Sequence, residues 1–483
     1  MCFFTSHAGQ GANHMNDNKN RNCICPLCTV LIMVSIMTMI PFFPDDAGAA
    51  GWKAGTAAVV VTPEKPAWMA GYGNRDHKSE GKIHDLYIKA LALEDPQGTR
   101  AVILTADLIG INLDFSTRVK NKIQRKYGVP GKAILLNASH THCGPEVRAS
   151  DMPFYQSDEA VREITDLTDW MEQRYIEVIG KAIENLKPAG LTFSKATPVP
   201  FAVCRRFPTL EGIVYRSVPS SYYTGGSRDD TVPVLRVAGS DGAIMAILFG
   251  YTCHPITLTG YLFCGDYPGF AQRYIEEAYP GANAMFAQGC AGDLVPNARY
   301  QVEYAMGHGR ALADAVKKAL DSDQTPITGA IRFDYDEVPL DLQPLPPRAE
   351  LEKELKSDNE NARKKAALFL HKLDNNEPVE PILHFPIQVL RIGNEVLMIG
   401  LAGEPVVDYA VRFKSEFLTQ FTWVLGYCNY QFGYLPTWRV LKEGGYEADG
   451  AMQHMPFTGP FTETVESKVV GVVRQLVNNV IGK

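Results

Sequence analysis

Beyond its first fifty residues the chain has no Cys-x-x-Cys pair, no block of basic residues, no internal repeat and no low-complexity tract. The first absence argues against a structural zinc ribbon. The second removes the electrostatic footprint of a nucleic-acid binder, and the formal net charge of −7 adds nothing toward one. The last two leave an ordinary globular chain: 46% hydrophobic, 21% charged and 10% aromatic residues over 483 positions suffice for a large core and argue against extensive disorder.

The first fifty residues differ in kind. Lys19 and Arg21 precede an apolar run from Cys23 to Phe43, and small residues follow at Ala47 to Ala50. That order describes a secretory signal peptide, and Pro26 and Pro41 favour it over the alternative, an N-terminal membrane anchor. Residues 1–50 are therefore expected to export the chain, to the outside or to a periplasm. Six cysteines remain after them: Cys143, Cys204, Cys253, Cys264, Cys290 and Cys428. An oxidising compartment would permit disulfides, but spacing sets no pairing.

From residue 51 to 483 short apolar runs alternate with amphipathic ones, which predicts a single α/β domain with a mixed, largely parallel sheet flanked by helices. Arg100–Ala106, a helix from Phe115 to Tyr127 capped by Asp114 and ended by Gly128, and Ala133–Ala138 read as one βαβ unit. Residues 338–383, charged and proline-rich, read as a surface excursion, and the Ile392–Asn394 step reads as a hairpin turn.

The unusual polar residues fall where strands end. One strand runs into Ser139-His-Thr-His142, another into Thr252-Cys-His-Pro255 and a third into Gln288-Gly-Cys-Ala-Gly-Asp293. Two more run into Ala402-Gly-Glu404 and toward Asn429 and Tyr434. Ligands bind beyond the carboxyl ends of strands in open α/β sheets, so one convergent site is expected. His-x-His sets two imidazoles on one side of an extended segment. On the residues alone, a metal site and a set of structural polar residues both remain open. His84, Asp85, Asp107 and Asp293 read as partners orienting a ligand imidazole, with loop capping the alternative for Asp107 and Asp293. Cys143 and Cys290 read as small packed residues rather than nucleophiles.

Several segments together resemble the catalytic domain of the neutral ceramidases, the neutral/alkaline non-lysosomal kind. They are Met69-Ala-Gly-Tyr-Gly73, Gly81-Lys-Ile-His-Asp85, Asn137-Ala-Ser-His-Thr-His-Cys-Gly-Pro145, Cys253-His-Pro255, Phe286–Asn297, Gly403-Glu404, Asn429–Tyr434 and Gly445–Ala448, in the family's order. The resemblance implies a Zn2+-dependent hydrolase of an amide bond, acting on a small-molecule or lipid N-acyl substrate through a water activated by the metal. A lipid substrate would bring the chain to a membrane surface. Carried over motif by motif, the zinc ligands are His140, His254, Glu404 and Tyr434, with His142 beside the metal. Arg205, with Arg206 the alternative, and Tyr446 would hold the scissile amide and its developing oxyanion, and Asp293 joins the catalytic candidates.

Two departures stand out. Val295 occupies the position of the family's motif serine in Gly292-Asp-Leu-Val-Pro-Asn297, and valine can neither donate nor accept a hydrogen bond. The residues after the last motif leave no length for the family's C-terminal immunoglobulin-like domain, so a catalytic domain without it is expected. The substitution keeps two other readings open: a binding protein that has lost turnover, and an esterase or deacetylase on an extracellular lipid or glycan.

Overall fold

Runs such as RAVILTA and ILLNA bury almost every side chain on both faces, which demands strands covered on both sides. The computed structural model describes residues 51–148, 157–196, 199–210, 212–215 and 226–482, so the expected leader at 1–50 lies outside the described residues. Among these, the main sheet has nine strands: β1 Lys53–Val60, β2 Tyr87–Glu94, β3 Arg100–Ala106, β4 Ile134–Ala138, β5 Lys187–Ala196, β6 Val232–Gly239, β7 Ile244–Tyr251, β8 Asn283–Gln288 and the two-residue β9 Thr325–Pro326. Their order is β8-β7-β6-β5-β1-β2-β3-β4, with β9 beside β5.

The mixed α/β architecture expected from the sequence is present, but the balance of strand directions is corrected. Among the described strands of this sheet, parallel pairing is confined to its two margins, β7–β8 and β3–β4. The strands between pair antiparallel. For β2–β3 and β6–β7 the reason is loop length. Residues 95–99 join β2 to β3 and residues 240–243 join β6 to β7, and links that short connect only antiparallel neighbours. The two parallel pairs have helical crossovers, α1 Leu113–Tyr127 before β4 and a helix at Asp266–Ala278 before β8.

The sheet curls until its margins meet. Asn283 Nδ2 of β8 donates to Thr56 Oγ1 of β1 at 2.7 Å, and Lys89 Nζ of β2 donates to the Ala284 carbonyl at 2.8 Å. The edge strands are joined by Asn137 of β4, whose Oδ1 accepts the Gln288 N–H at 2.9 Å. The carboxyl end of β4, at the far end of the strand order, therefore opens at the same place as those of the neighbours β7 and β8.

A second sheet follows: β10 Ile331–Asp341, β11 Ile382–Ile392, β12 Val396–Leu401 and β13 Phe421–Leu425, in that order. β11 and β12 form the expected hairpin, turning at Gly393 with φ +62°. β12 and β13 are parallel, with the helix Asp408–Glu416 between them. Segment 427–429 then hydrogen-bonds along β4: Ala138 N–H donates to Tyr427 O at 3.2 Å and Asn429 N–H to Leu136 O at 2.8 Å. Each sheet has its own buried apolar core, the first including Trp52, Phe115 and Phe286, the second Phe385, Phe413 and Val473. The surface excursion is narrower than expected, because Val338–Asp341 and Ile382–Leu383 are strand ends. Between them the helices Arg348–Glu354 and Glu360–Asp374 pack on Leu351, Ala366, Phe369 and Leu370. Among the described residues no helix is long and apolar enough to cross a membrane.

α1 starts two residues earlier than expected. Its cap is Asn112, whose Oδ1 accepts the Phe115 N–H at 2.8 Å, and Asp114 lies inside the first turn, where it favours the helix dipole. Asn112→Ala is expected to lower stability by about 1 kcal/mol, read as a lower midpoint in urea. An unchanged midpoint would show that the cap contributes nothing.

Candidate metal centre

His140 leaves β4 in a left-handed conformation, φ +65°, with its N–H donating to Leu108 O at 2.9 Å. That turn swings its imidazole inward, and His140 Nδ1 lies 2.7 Å from the Ile109 carbonyl oxygen. His254, beyond β7, does the same with Nδ1 2.6 Å from Ala291 O. A carbonyl oxygen can only accept, so each Nδ1 carries a proton, and in the neutral ring each Nε2 presents a lone pair.

Both lone pairs face one carboxylate oxygen. Glu404 Oε2 lies 3.3 Å from His140 Nε2 and 3.0 Å from His254 Nε2. The other oxygen, Oε1, accepts from Gln431 Nε2 at 2.8 Å. His254 Nε2 and Glu404 Oε2 are buried and lack hydrogen-bond partners. Burial first, then the Arg205 cation, pushes His254 down to about 4, so its ring is neutral. Burial alone would raise Glu404, and positive charge at the His140 and His254 rings is what holds the carboxyl well below its ordinary value; with the rings neutral, a bound cation would supply that charge. Three acceptors thus meet with no proton between them, an arrangement a cation satisfies and a hydrogen bond does not.

His142 completes the cluster. Its Nε2 is 3.2 Å from His140 Nε2, and donor atoms of the three imidazoles all lie within 4.8 Å of one another. Burial first, then the neighbouring rings, keeps it neutral, and its Nδ1 has no partner. The Met69–Gly73 segment explains itself here: a Cβ at Gly71, φ +99°, would lie 2.6 Å from the His142 ring, and Tyr72 packs on that ring at 4.9 Å.

Glu404 and Tyr434 face each other in a two-residue parallel ladder, Glu404–Pro405 with Tyr434–Leu435. The Tyr434 ring lies nearly parallel to that of His254, centroids 6.3 Å apart, and 5.3 Å from the half-exposed Tyr446. The buried Arg205 guanidinium sits 5.2 Å from the Tyr434 ring and 5.6 Å from the Tyr446 ring. Arg206 points elsewhere, to Glu443 and the Gly444 carbonyl. Both arginines are held by the buried Glu447, Arg205 Nε on Oε1 and Arg206 NH1 on Oε2, each at 2.7 Å.

Other expected residues are used differently. Asp293 Oδ1 accepts the Val407 N–H at 2.8 Å, ahead of the Asp408–Glu416 helix, and its backbone oxygen accepts the Arg205 N–H. Asp107 accepts from Tyr87 N–H and Gln272, Asp85 from Thr62 and Lys82, and His84 meets Cys264 Sγ at 3.2 Å. The orienting groups for His140 and His254 are instead the backbone carbonyls of Ile109 and Ala291. Burial pushes the Cys143 thiol up to about 12 and raises Cys290 well above its ordinary value, which suits packed thiols rather than nucleophiles. Val295 is fully buried in a short ladder opposite Val203.

Sequence reasoning missed Gln431, Glu447, Gln288 and Tyr427. The Tyr427 ring lies 4.3 Å from that of His140. Gln431 and Glu447 lie inside noticed motifs, but a loop amide or carboxylate carries no mark of its partner.

Residues 54–329 match the family model described as neutral/alkaline non-lysosomal ceramidase, N-terminal. A neutral ceramidase of Drosophila melanogaster is 22% identical over 271 residues, 52% of this chain and 36% of that protein. Neutral ceramidase 1 of Arabidopsis thaliana is 22% identical over 254 residues, 49% and 31%. The chain thus spans about a third of the length of these relatives. The crystal structure of neutral ceramidase from Pseudomonas aeruginosa superposes with a TM-score of 0.68 at 18% identity, covering 89% of this chain and 74% of that one, which shows a shared fold.

Burial raises the Asp293 carboxyl to about 7, with Glu447 and Asp408 adding to it. The unfolded chain loses that proton near pH 4 and the folded chain near 7, so this group makes stability fall as pH rises between them. Asp293→Asn, which still accepts from Val407, is expected to flatten that fall. Urea midpoints at pH 5 and 7.5 check it, and equal slopes in both proteins would refute it.

Proposed function

Since the chain belongs to the neutral/alkaline non-lysosomal ceramidase family, we propose that it is a zinc-dependent hydrolase of the amide bond in an N-acyl lipid of the ceramide class. One observation carries the reading: the lone pairs of His140 Nε2 and His254 Nε2 converge on the Glu404 carboxylate, with both Nδ1 protons committed to backbone. Imidazole nitrogen and carboxylate oxygen are the donor set zinc prefers, and orientation through Nδ1–H to a carbonyl is the usual support for a zinc histidine. Tyr434, in register with Glu404, is the proposed fourth ligand. Zinc bound there supplies a water ionised near neutral pH and polarisation of the substrate carbonyl.

The chain's own residues do the rest. Arg205, cationic and fixed by Glu447, faces Tyr434 and Tyr446 and is suited to stabilising the oxyanion as it develops. Tyr446, half-exposed beside Tyr434, is the residue proposed to orient the amide. His142, whose Nε2 faces the cluster, is the proposed carrier of the proton that goes to the departing amine. The leader pattern supports export, and a lipid substrate supports work at a membrane surface.

Val295 favours a second reading, an enzyme-like binding protein that has lost turnover, because the buried valine cannot replace the motif serine's hydrogen bonds. Wild type is expected to hold about one zinc per chain and to hydrolyse a short-chain N-acyl sphingosine. His254→Ala should lose the metal, and His254→Ala and Glu404→Ala should both lose hydrolysis by at least about 100-fold. A folded wild type with no affinity for zinc ends the proposal. O-acyl substrates run beside N-acyl ones separate an esterase from an amidase. Val295→Ser should raise a weak amidase activity or create a missing one. Zinc binding with no turnover in either protein would leave the second reading standing.

A further inference from the structure

Both histidine loops are fastened to one amide. Gln288, the last residue of β8, is fully buried, and its Nε2 donates to Ser139 O at 3.0 Å and to Cys253 O at 2.8 Å. Those carbonyls belong to the peptide units that contain the N–H groups of His140 and His254. Each unit is also held from its N–H side, His140 by Leu108 O at 2.9 Å and His254 by Leu294 O at 3.1 Å. The planes from which the two imidazoles depart are therefore fixed at both ends. The amide is itself held, since Gly289 N–H donates to Oε1 at 3.1 Å. An amide nitrogen has two protons to give, and Gln288 has one carbonyl for each.

We propose that Gln288 is a positioning residue that sets His140 and His254 together for the metal, a role that rests on the zinc reading above. Other side chains of similar reach do not serve. Glutamate would set an anionic oxygen against two carbonyl oxygens, and methionine fills the space but donates nothing.

The test compares zinc dissociation constants, by competition with a chromophoric chelator, in wild type, Gln288→Met and Gln288→Glu, with thermal unfolding of each metal-free protein. A purely structural role lowers the unfolding temperature and leaves zinc affinity of the folded protein alone. A positioning role weakens zinc binding by about 10- to 100-fold in protein that still unfolds cooperatively. Folded variants that bind zinc within twofold of wild type overturn the inference. So does failure of both variants to fold, which would make Gln288 a requirement of the core. A wild type that binds no zinc defeats the zinc reading itself, an outcome distinct from wild type and variants binding alike.

Discussion

Two hydrogen bonds, from the Nδ1 atoms of His140 and His254 to the carbonyls of Ile109 and Ala291, decide what the buried cluster can do. Were either imidazole free to move its proton to Nε2, it could donate to Glu404 and the group would close on itself. With both protons committed elsewhere, two nitrogens and a carboxylate oxygen confront one another at 3.0–3.3 Å. A buried acceptor left unpaired costs roughly 1–3 kcal/mol, and a charged one more. One cation relieves all three.

The backbone around the cluster is bent to hold this arrangement. His140, Tyr427 and Asn429 take left-handed conformations at φ +65°, +55° and +65°. Each costs roughly 1–2 kcal/mol in a non-glycine residue. Each also gains a backbone hydrogen bond, to Leu108, Gly403 and Leu136 respectively, and such bonds return about 1 kcal/mol apiece. The balance is close, so packing of the Tyr427 ring on His140 and of 427–429 along β4 is what tips it.

What the sequence made readable was the set of strand ends. His140, His254 and Glu404 each follow a buried aliphatic run, and His-x-His is a local pattern, so their convergence could be anticipated. Tyr434 could be reached through its motif, whereas its register with Glu404 is a ladder of two residues with no periodicity to detect. The orienting carbonyls of Ile109 and Ala291 left no trace, because every residue has a carbonyl; that is why His84 and Asp107 looked like better partners than they are. The antiparallel pairing of β2 with β3 and of β6 with β7 was hidden in loops 95–99 and 240–243, whose brevity fixes strand direction more firmly than the apolar runs suggest. Glu447 and Gln288 were unreadable for a related reason: their partners lie 242 and 149 residues away.

The curled sheet has a kinetic corollary. Asn137 reaches Cys428 across 291 residues of chain, and the segments bearing the imidazoles, the carboxylate and the phenol touch only after both sheets exist. Topologies dominated by such distant contacts fold slowly, since loop closure precedes any reward from pairing. No early fragment of this polypeptide holds the imidazoles, the carboxylate and the phenol together. The buried cluster is therefore among the last features of the fold to be assembled.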